Sequence, residues 1–342
     1  MTVAKVTSAD VARLAGVSQS AVSRVFTPGA SASKKTVDKV RAAAETLGYR
    51  PNSLARAMVS GRSRIIGLVV AYLENHFYPE ALEKLSNALQ EQGYHVLMFM
   101  APNTATSIDS VIEEILDYQV DGIIAASVAM SSELSDRCRA AGVPMVLFNR
   151  SQDDPCMSAV TSDNHAGGRK VADFLLAAGH RKIGYIAGWE GASTQRDREA
   201  GFCERLAEDG LTLHARGVGN FQMETASEAT RQMFANDQPD AVFVGNDHMA
   251  FAVMDVLRSE LGLEVPGDVS VVGYDDVPTA AWPAYDMTTV RQPANRMVLE
   301  TVDILLDEIS GAPQGPRRIA IDGPLIVRGS ARIPEGWKNE GF

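Results

Sequence analysis

Cysteine is scarce in this chain. Cys138, Cys156 and Cys203 are odd in number and widely spaced, with no CxxC pair. That excludes a disulfide framework and a thiolate zinc site, and fits a reducing cytosol. Long apolar runs are missing too. No segment reaches the roughly 18 residues that a membrane span needs, and the opening MTVAKVTSAD lacks the apolar core of a signal peptide. The expectation is a cytoplasmic protein with no membrane partner. Catalytic signatures are equally absent. His76, His95, His165, His180, His214 and His248 are scattered, with no HExxH, and neither a GxSxG nor a Walker A pattern occurs. Gly184, Gly188 and Gly191 lack the spacing of a dinucleotide fingerprint. Enzyme, metal and cofactor readings are therefore set aside.

What is present points elsewhere. At 342 residues the chain is too long for one core. Its net charge of −11 conceals an asymmetry: residues 1–64 carry +8 and the remainder −19. A basic head on an acidic body directs any attraction to phosphate to one end.

That head contains TSADVARLAGVSQSAVSRVF, Thr7 to Phe26. Thr7 can cap a first helix, with Asp10 in its first turn, and Val11, Leu14 and Ala15 are expected on its packed face. Gly16 breaks the helix. Ser18 caps a second one, whose Val22 and Val25 turn inward and leave Gln19, Ser20 and Arg24 outward. A short helix fits the DNA major groove, and Gln and Arg read base edges bidentately. The pattern predicts a helix-turn-helix. Ser33 then caps a third helix carrying Val37, Val40, Ala44 and Leu47, which Gly48 stops. Pro51 breaks the chain before a short helix-forming stretch, Ser53–Met58.

The runs DVARLAGVSQSAVSRV, LGYRPNSLARAM and SGRSRIIGLVV, in this order and spacing, resemble the lac-repressor (LacI/GalR) family of transcription regulators. The resemblance covers nearly the whole chain. It implies that Ser18, Gln19, Ser20 and Arg24 meet operator DNA, the last three as base readers. Ser33, Tyr49 and Asn52 become backbone or minor-groove contacts. It also implies a hinge helix that orders on DNA and wedges Met58 into the minor groove, where the family usually has Leu. Six residues are too few for a helix to hold itself together in water. Ala21 stands where many members carry Thr.

From Ile65 the periodicity changes. Ile65–Ala71, His95–Met100, Asp121–Ala126, Pro144–Phe148, Lys182–Ala187, Ala241–Gly245 and Val269–Gly273 are apolar runs of strand length. Between them lie segments of helix length: Pro79–Gln92, Ser107–Tyr118, Ser132–Ala141, Asn164–Ala178, Arg198–Asp209 and Asp247–Leu261. Apolar strands alternating with helices indicate parallel sheets covered on both faces. Two successive sets suggest two similar lobes, and strand C-terminal ends facing a cleft are the default small-molecule site. The resemblance implies a periplasmic-binding-protein-like body, with chain crossovers near Thr161, Gln292 and Asp322. It implies an effector site lined by Phe77, Tyr78, Ser127, Asn149, Arg198, Asn246 and Asp275. Asn149 stands where the family can carry Asp, which leaves Arg150 and Arg198 less neutralised and favours a sugar or a sugar acid.

The fold expected is α/β: a three-helix helix-turn-helix head over residues 1–50, a hinge over 51–64 and a two-lobed body over 65–342. Lobe 1 is about 65–161 with 293–321, and lobe 2 about 162–292 with 322–342. The function expected is a ligand-responsive repressor that binds double-stranded operator DNA as a homodimer, without cofactor or metal. The tail ARIPEGWKNEGF has no heptads, which favours a dimer over a tetramer. The competing reading is a solute-binding protein of a transport system, which shares the body fold but has no use for a basic head.

Overall fold

The computed structural model describes residues 6–27, 30–50, 62–101, 105–127, 132–152, 156–311 and 315–337, with backbone alone at 105–109 and 132–135. The chain divides into two compact units, Met1–Ser63 and Arg64–Phe342.

The head is three helices, α1 (Ser8–Ala15), α2 (Gln19–Val25) and α3 (Lys34–Leu47). Each starts where a hydroxyl can satisfy an orphan amide. Thr7 and Asp10 form a reciprocal capping box on α1, the Thr7 amide donating to Asp10 Oδ2 at 3.0 Å. Ser18 accepts from the Ala21 amide and Ser33 from the Thr36 amide, both at 3.2 Å. Gly16 and Gly48 close α1 and α3 in the left-handed region at φ +64°, where a Cβ would be strained. The core is small side chains: Val11, Ala12, Ala15, Val22, Val40, Ala43 and Ala44. Leu14, expected on the packed face, is 54% exposed, and Ala12 is buried instead. The buried stripe of α1 runs through residues 11, 12 and 15, and Leu14 sits roughly a quarter turn from its centre. The hinge expected at Ser53–Met58, with Asn52 and Met58, lies outside the described residues.

The body contains two six-stranded sheets. The first runs β11-β5-β4-β3-β1-β2, with β1 Ile65–Val70, β2 His95–Met100, β3 Gly122–Ala126, β4 Met145–Phe148, β5 Ser158–Ser162 and β11 Arg318–Ile321. Every ladder in it is parallel. The second runs β12-β10-β9-β8-β6-β7, with β6 Ile183–Ala187, β7 Ala215–Val218, β8 Ala241–Val244, β9 Ser270–Asp275, β10 Thr288–Arg291 and β12 Leu325–Ile326. Only the short β10–β12 ladder is antiparallel. The chain thus leaves the first sheet after β5, returns to it for β11 and ends in the second.

Helices α4 (Phe77–Glu91), α5 (Ala105–Asp117), α6 (Ser132–Ala140) and α11 (Ala294–Ser310) accompany the first sheet. Helices α7 (Asn164–Ala177), α8 (Ser193–Glu208), α9 (Met223–Met233) and α10 (Asp247–Asp255) accompany the second. Leu82, Leu85 and Leu89 of α4 are buried, as their spacing requires. Helix α8 begins at Ser193, five residues before the start expected at Arg198, so Arg198 is carried in its second turn. Strands β3, β4, β6, β8 and β9 are buried along their whole length, which is why the first four are continuous apolar runs and β9 is polar only at its ends, Ser270 and Asp275. Among the described residues no helix is long and apolar enough to cross a membrane.

Candidate functional site

On the head, Ser18, Gln19, Ser20 and Arg24 are all exposed on or beside α2. They are not free of one another. Gln19 Nε2 donates to Ser8 Oγ at 2.9 Å, the Ser18 and Ser20 hydroxyls share a hydrogen at 2.9 Å, and Arg24 Nε donates to the Ser20 carbonyl at 3.4 Å. These exposed bonds can be exchanged for base edges at little cost. Ser33 is occupied in capping α3, and the half-buried Tyr49 ring packs on Phe26 at 5.9 Å.

In the body, the loops after the parallel strands bring polar side chains of both sheets together. Asn75, after β1, donates to Asp275 Oδ2 at 2.9 Å, and Gln292, after β10, donates to Asp275 Oδ1 at 2.6 Å. Asn149, after β4, donates to the Tyr78 hydroxyl at 3.2 Å. Phe77 stacks on Phe148 at 6.3 Å beside it. Asn246 caps α10, its Oδ1 accepting from the Met249 amide at 3.0 Å. Phe77, Tyr78, Ser127, Asn149, Arg198, Asn246 and Asp275 are all buried.

Arg198, which the resemblance implies as an effector contact, spends most of its guanidinium on the protein's own groups. Nε donates to Asn164 Oδ1 at 2.8 Å, Nη1 donates to the Gly245 carbonyl at 2.6 Å, and the plane lies 3.6 Å over Tyr274. Nη2 lies 3.5 Å from Asp275 Oδ1.

Several buried polar atoms have no hydrogen-bond partner among the described residues: Ser127 Oγ, Asn149 Oδ1, Arg150 Nε and Nη1, Asn246 Nδ2 and Gln292 Oε1. Buried polar groups are nearly always satisfied by protein, water or a ligand, so these atoms at strand ends offer hydrogen-bonding capacity to solvent or a small molecule. Strain collects at the same place. Ser127 (φ +60°), Asn149 (φ +60°), Phe221 (φ +61°) and Asp275 (φ +128°) hold conformations that non-glycine residues rarely adopt. A cavity of about 430 Å³ borders Phe77, Asp275 and Gln292 from the crossover side. Of its cations, Lys84 pairs with Glu80 at 2.8 Å and Arg291 with Asp276 at 2.6 Å, while Arg296 also lines it.

Comparison with known proteins agrees with this geometry. Residues 7–52 match the family described as bacterial regulatory proteins, lacI family, and residues 172–331 match a periplasmic binding protein-like domain. The HTH-type transcriptional repressor PurR of Vibrio cholerae serotype O1 (strain M66-2) is 31% identical over 93% of this chain and 95% of its own. The PurR of Photobacterium profundum is 29% identical over 94% and 98%. The crystal structure of the lac repressor dimer bound to operator and the anti-inducer ONPF superposes with a TM-score of 0.86 at 28% identity, covering 95% of this chain and 99% of that one. The chain belongs to the LacI family. It is a DNA-binding transcriptional repressor of that family rather than an enzyme, and the helix-turn-helix match removes the transport-protein reading. The structure of the regulator CelR in complex with cellobiose is also similar, with a TM-score of 0.73 at 31% identity over 96% of this chain and 100% of that one.

Within this LacI-family body, the sequence reading passed over Tyr72, Asn75, Asn164, Trp189, Phe221 and Gln292. It named Arg150 as a cation less neutralised beside Asn149, without placing it among the residues that line the site. Trp189 and Phe221 follow β6 and β7 in loops with no periodicity to announce them. Gln292 was legible in principle, as a polar residue at the end of the TTV run.

Asp247 lies beneath the cleft floor, fully buried. It accepts from Thr289 Oγ1 at 2.6 Å and from the Val277 amide at 3.0 Å, tying β10 to the loop that holds Asp275 and Asp276. Burial pushes its carboxyl up to about 8, assisted by nearby Asp275. An unfolded aspartate titrates near 4. Between about pH 4 and 8 the folded chain therefore keeps a proton that the unfolded chain has released, and stability falls as pH rises across that window. Asp247→Asn removes this dependence. Its melting temperature relative to wild type should climb from pH 5 to pH 8 and then level off. A difference that does not vary with pH would show that Asp247 is already ionised at pH 5.

Proposed function

We propose that this repressor binds a near-palindromic operator as a homodimer and responds to a sugar or sugar acid held between the two sheets of its body. In this reading residues 1–50 read DNA in the cytoplasm and 51–64 form the hinge. The two lobes comprise 65–161 with 293–321, and 162–292 with 322–342. The observation that carries it is the cluster of orphaned polar atoms contributed by both sheets. Ser127, Asn149, Asn246 and Gln292 offer donors and acceptors together, which suits hydroxyl groups, since each hydroxyl both donates and accepts. The cellobiose complex of the similar regulator CelR supports a carbohydrate class.

The dimer is supported by β2, an edge strand of the first sheet that exposes Met98 and Met100 at 50% and 48%. An open edge with a large apolar pair is a surface that monomers usually cover or blunt. A dimer places two heads on two half-sites, and so accounts for a two-fold operator.

The test is a mobility shift on fragments upstream of the protein's own gene and its neighbours, titrated with salt and with sugars and sugar acids. Specific binding that weakens steeply with salt, and that one such compound changes, is the expected result. A salt-dependent shift that no carbohydrate alters would leave the repressor and remove the carbohydrate. On the same fragment Arg24→Ala should weaken binding by about 1–3 kcal/mol and relax preference at one base position per half-site. Uniform weakening across all sequences would instead make Arg24 a phosphate contact.

A further inference from the structure

Arg150 is the one buried cation of the cleft that the protein leaves uncompensated among its described residues. It follows β4 and is only 4% exposed. Nε and Nη1 have no partner, and no ion pair holds the guanidinium. Its plane lies 5.3 Å over the ring of Trp189, which follows β6 in the opposite sheet. Tyr72, after β1, is close enough for Arg150 to act on its phenol. Beside it Ser151 reaches the second sheet, its amide donating to Ser193 Oγ at 3.0 Å. The cation therefore stands between strand-end loops of both lobes, within the orphan cluster.

Several other charges of the region are accounted for. Arg198 faces Asp275. Asp276 receives Arg291 and Arg328 at 2.6 and 2.7 Å. Glu190, next to Trp189, is taken by Arg216 at 2.9 Å. An arginine cannot shed its proton to escape burial, and an isolated buried charge is costly unless paired. The aromatic face of Trp189 recovers only part of that cost.

We propose that Arg150 is the receptor for a carboxylate on the effector, so that the natural ligand is a sugar acid or similar polyhydroxy monocarboxylate rather than a neutral sugar. This rests on the effector-cleft reading above and chooses within it. A guanidinium gives a carboxylate two parallel N–H bonds along an edge that includes Nη2, from Nε with Nη2 or from Nη1 with Nη2, and each of the two free donors lies on one such edge. A phosphate dianion would ask for more cations than the cleft supplies.

The experiment is calorimetric titration of the full-length protein with matched pairs, D-gluconate against D-glucose and D-galacturonate against D-galactose. D-glucose 6-phosphate and adenine are included as further probes. Wild type should bind at least one acid roughly tenfold or more tighter than its neutral partner. Arg150→Met should lose roughly 10- to 100-fold for that acid, as expected for a charge-assisted pair, with little change for the neutral sugar. Arg150→Lys should keep the preference for acids at reduced affinity. Free of ligand, Arg150→Met should melt higher than wild type, because it removes an unpaired buried charge.

Equal or better binding of neutral sugars overturns the assignment, as does tighter binding of the phosphate or the nucleobase. Failure of both acids to bind at millimolar concentration, or a ligand-free Arg150→Met that melts lower, does so too. A parallel operator mobility shift separates this from the broader reading. If an acid binds through Arg150 but leaves operator affinity unchanged, the carboxylate site stands and the regulatory coupling falls.

Discussion

Replacing Asp275 by alanine should abolish the effector response and cost the body about 3–5 kcal/mol, the range for breaking a buried pair from one side. Three partners depend on this carboxylate. Asn75 and Gln292 donate to its two oxygens at 2.9 and 2.6 Å, and Arg198 Nη2 lies 3.5 Å away. Gln292 Oε1 is already an orphan, so losing Asp275 would leave that amide with no partner at either end. Burial pushes the Asp275 carboxyl upward, opposed chiefly by Arg198. The charge is therefore held in place at a cost. Well-packed apolar groups often stabilise as well as a buried ion pair, so its retention here argues for use rather than for stability. Asp275→Asn separates the two. It keeps the volume and one acceptor, and should lose far less stability in urea unfolding while still losing the operator shift on ligand addition. If Asp275→Asn responds normally, the carboxylate serves only to hold the fold.

Both sheets contribute to one apolar cluster, and polar and ring contacts also cross the cleft. Asn75 reaches Asp275, His76 Nδ1 lies 3.1 Å from Thr279 Oγ1, Ser151 reaches Ser193, and Arg150 covers Trp189. A ligand that engages the orphaned atoms on both sides changes the balance among these contacts. It can shift the lobe arrangement only by as much as its affinities for the two arrangements differ.

The parts of this design that were legible in the sequence are those governed by local chemistry. Thr7, Ser18, Ser33, Gly16 and Gly48 mark helix ends because capping needs a hydroxyl or a positive φ at that residue, whatever lies around it. The buried strands were visible because a sheet covered on both faces leaves no polar positions. What escaped depends on distant partners. Strand β7 has only the sequence ARGV at a sheet edge, and α9 buries little more than Ala226, Ala229, Thr230 and Met233. The candidate cleft was half legible. Asp275 and Arg198 stood out as charges after strands, but residue type does not reveal that Arg198 is spent on Asn164 and Gly245. Nor does it reveal that Arg150 Nε and Nη1 have no hydrogen-bond partner among the described residues.

The second large effect is expected where no charge is involved. Gly168 on α7 and Gly201 on α8 sit at a reciprocal close approach of the two helices. A Cβ on Gly168 would lie 2.2 Å from the Arg198 carbonyl oxygen and 2.9 Å from the Phe202 amide. One on Gly201 would lie 2.1 Å from the His165 carbonyl oxygen. These neighbours are backbone, so the helices themselves must part. Helix propensity alone predicts that Gly168→Ala gains up to about 1 kcal/mol. Overpacking against backbone should outweigh it and leave a net loss of about 1–3 kcal/mol. The displacement also falls on the helix that carries Arg198, whose guanidinium has 3.6 Å of clearance over Tyr274, so effector affinity should fall with stability. Gly168→Ala/Gly201→Ala should cost less than its two single variants together, since helices already parted by one methyl have room for the other. Urea unfolding of the three variants decides the sign. A more stable Gly168→Ala would mean that propensity wins and that α7 and α8 separate freely. The position of Arg198 would then have to be fixed by Asn164, Gly245, Tyr274 and Asp275 rather than by the helix contact.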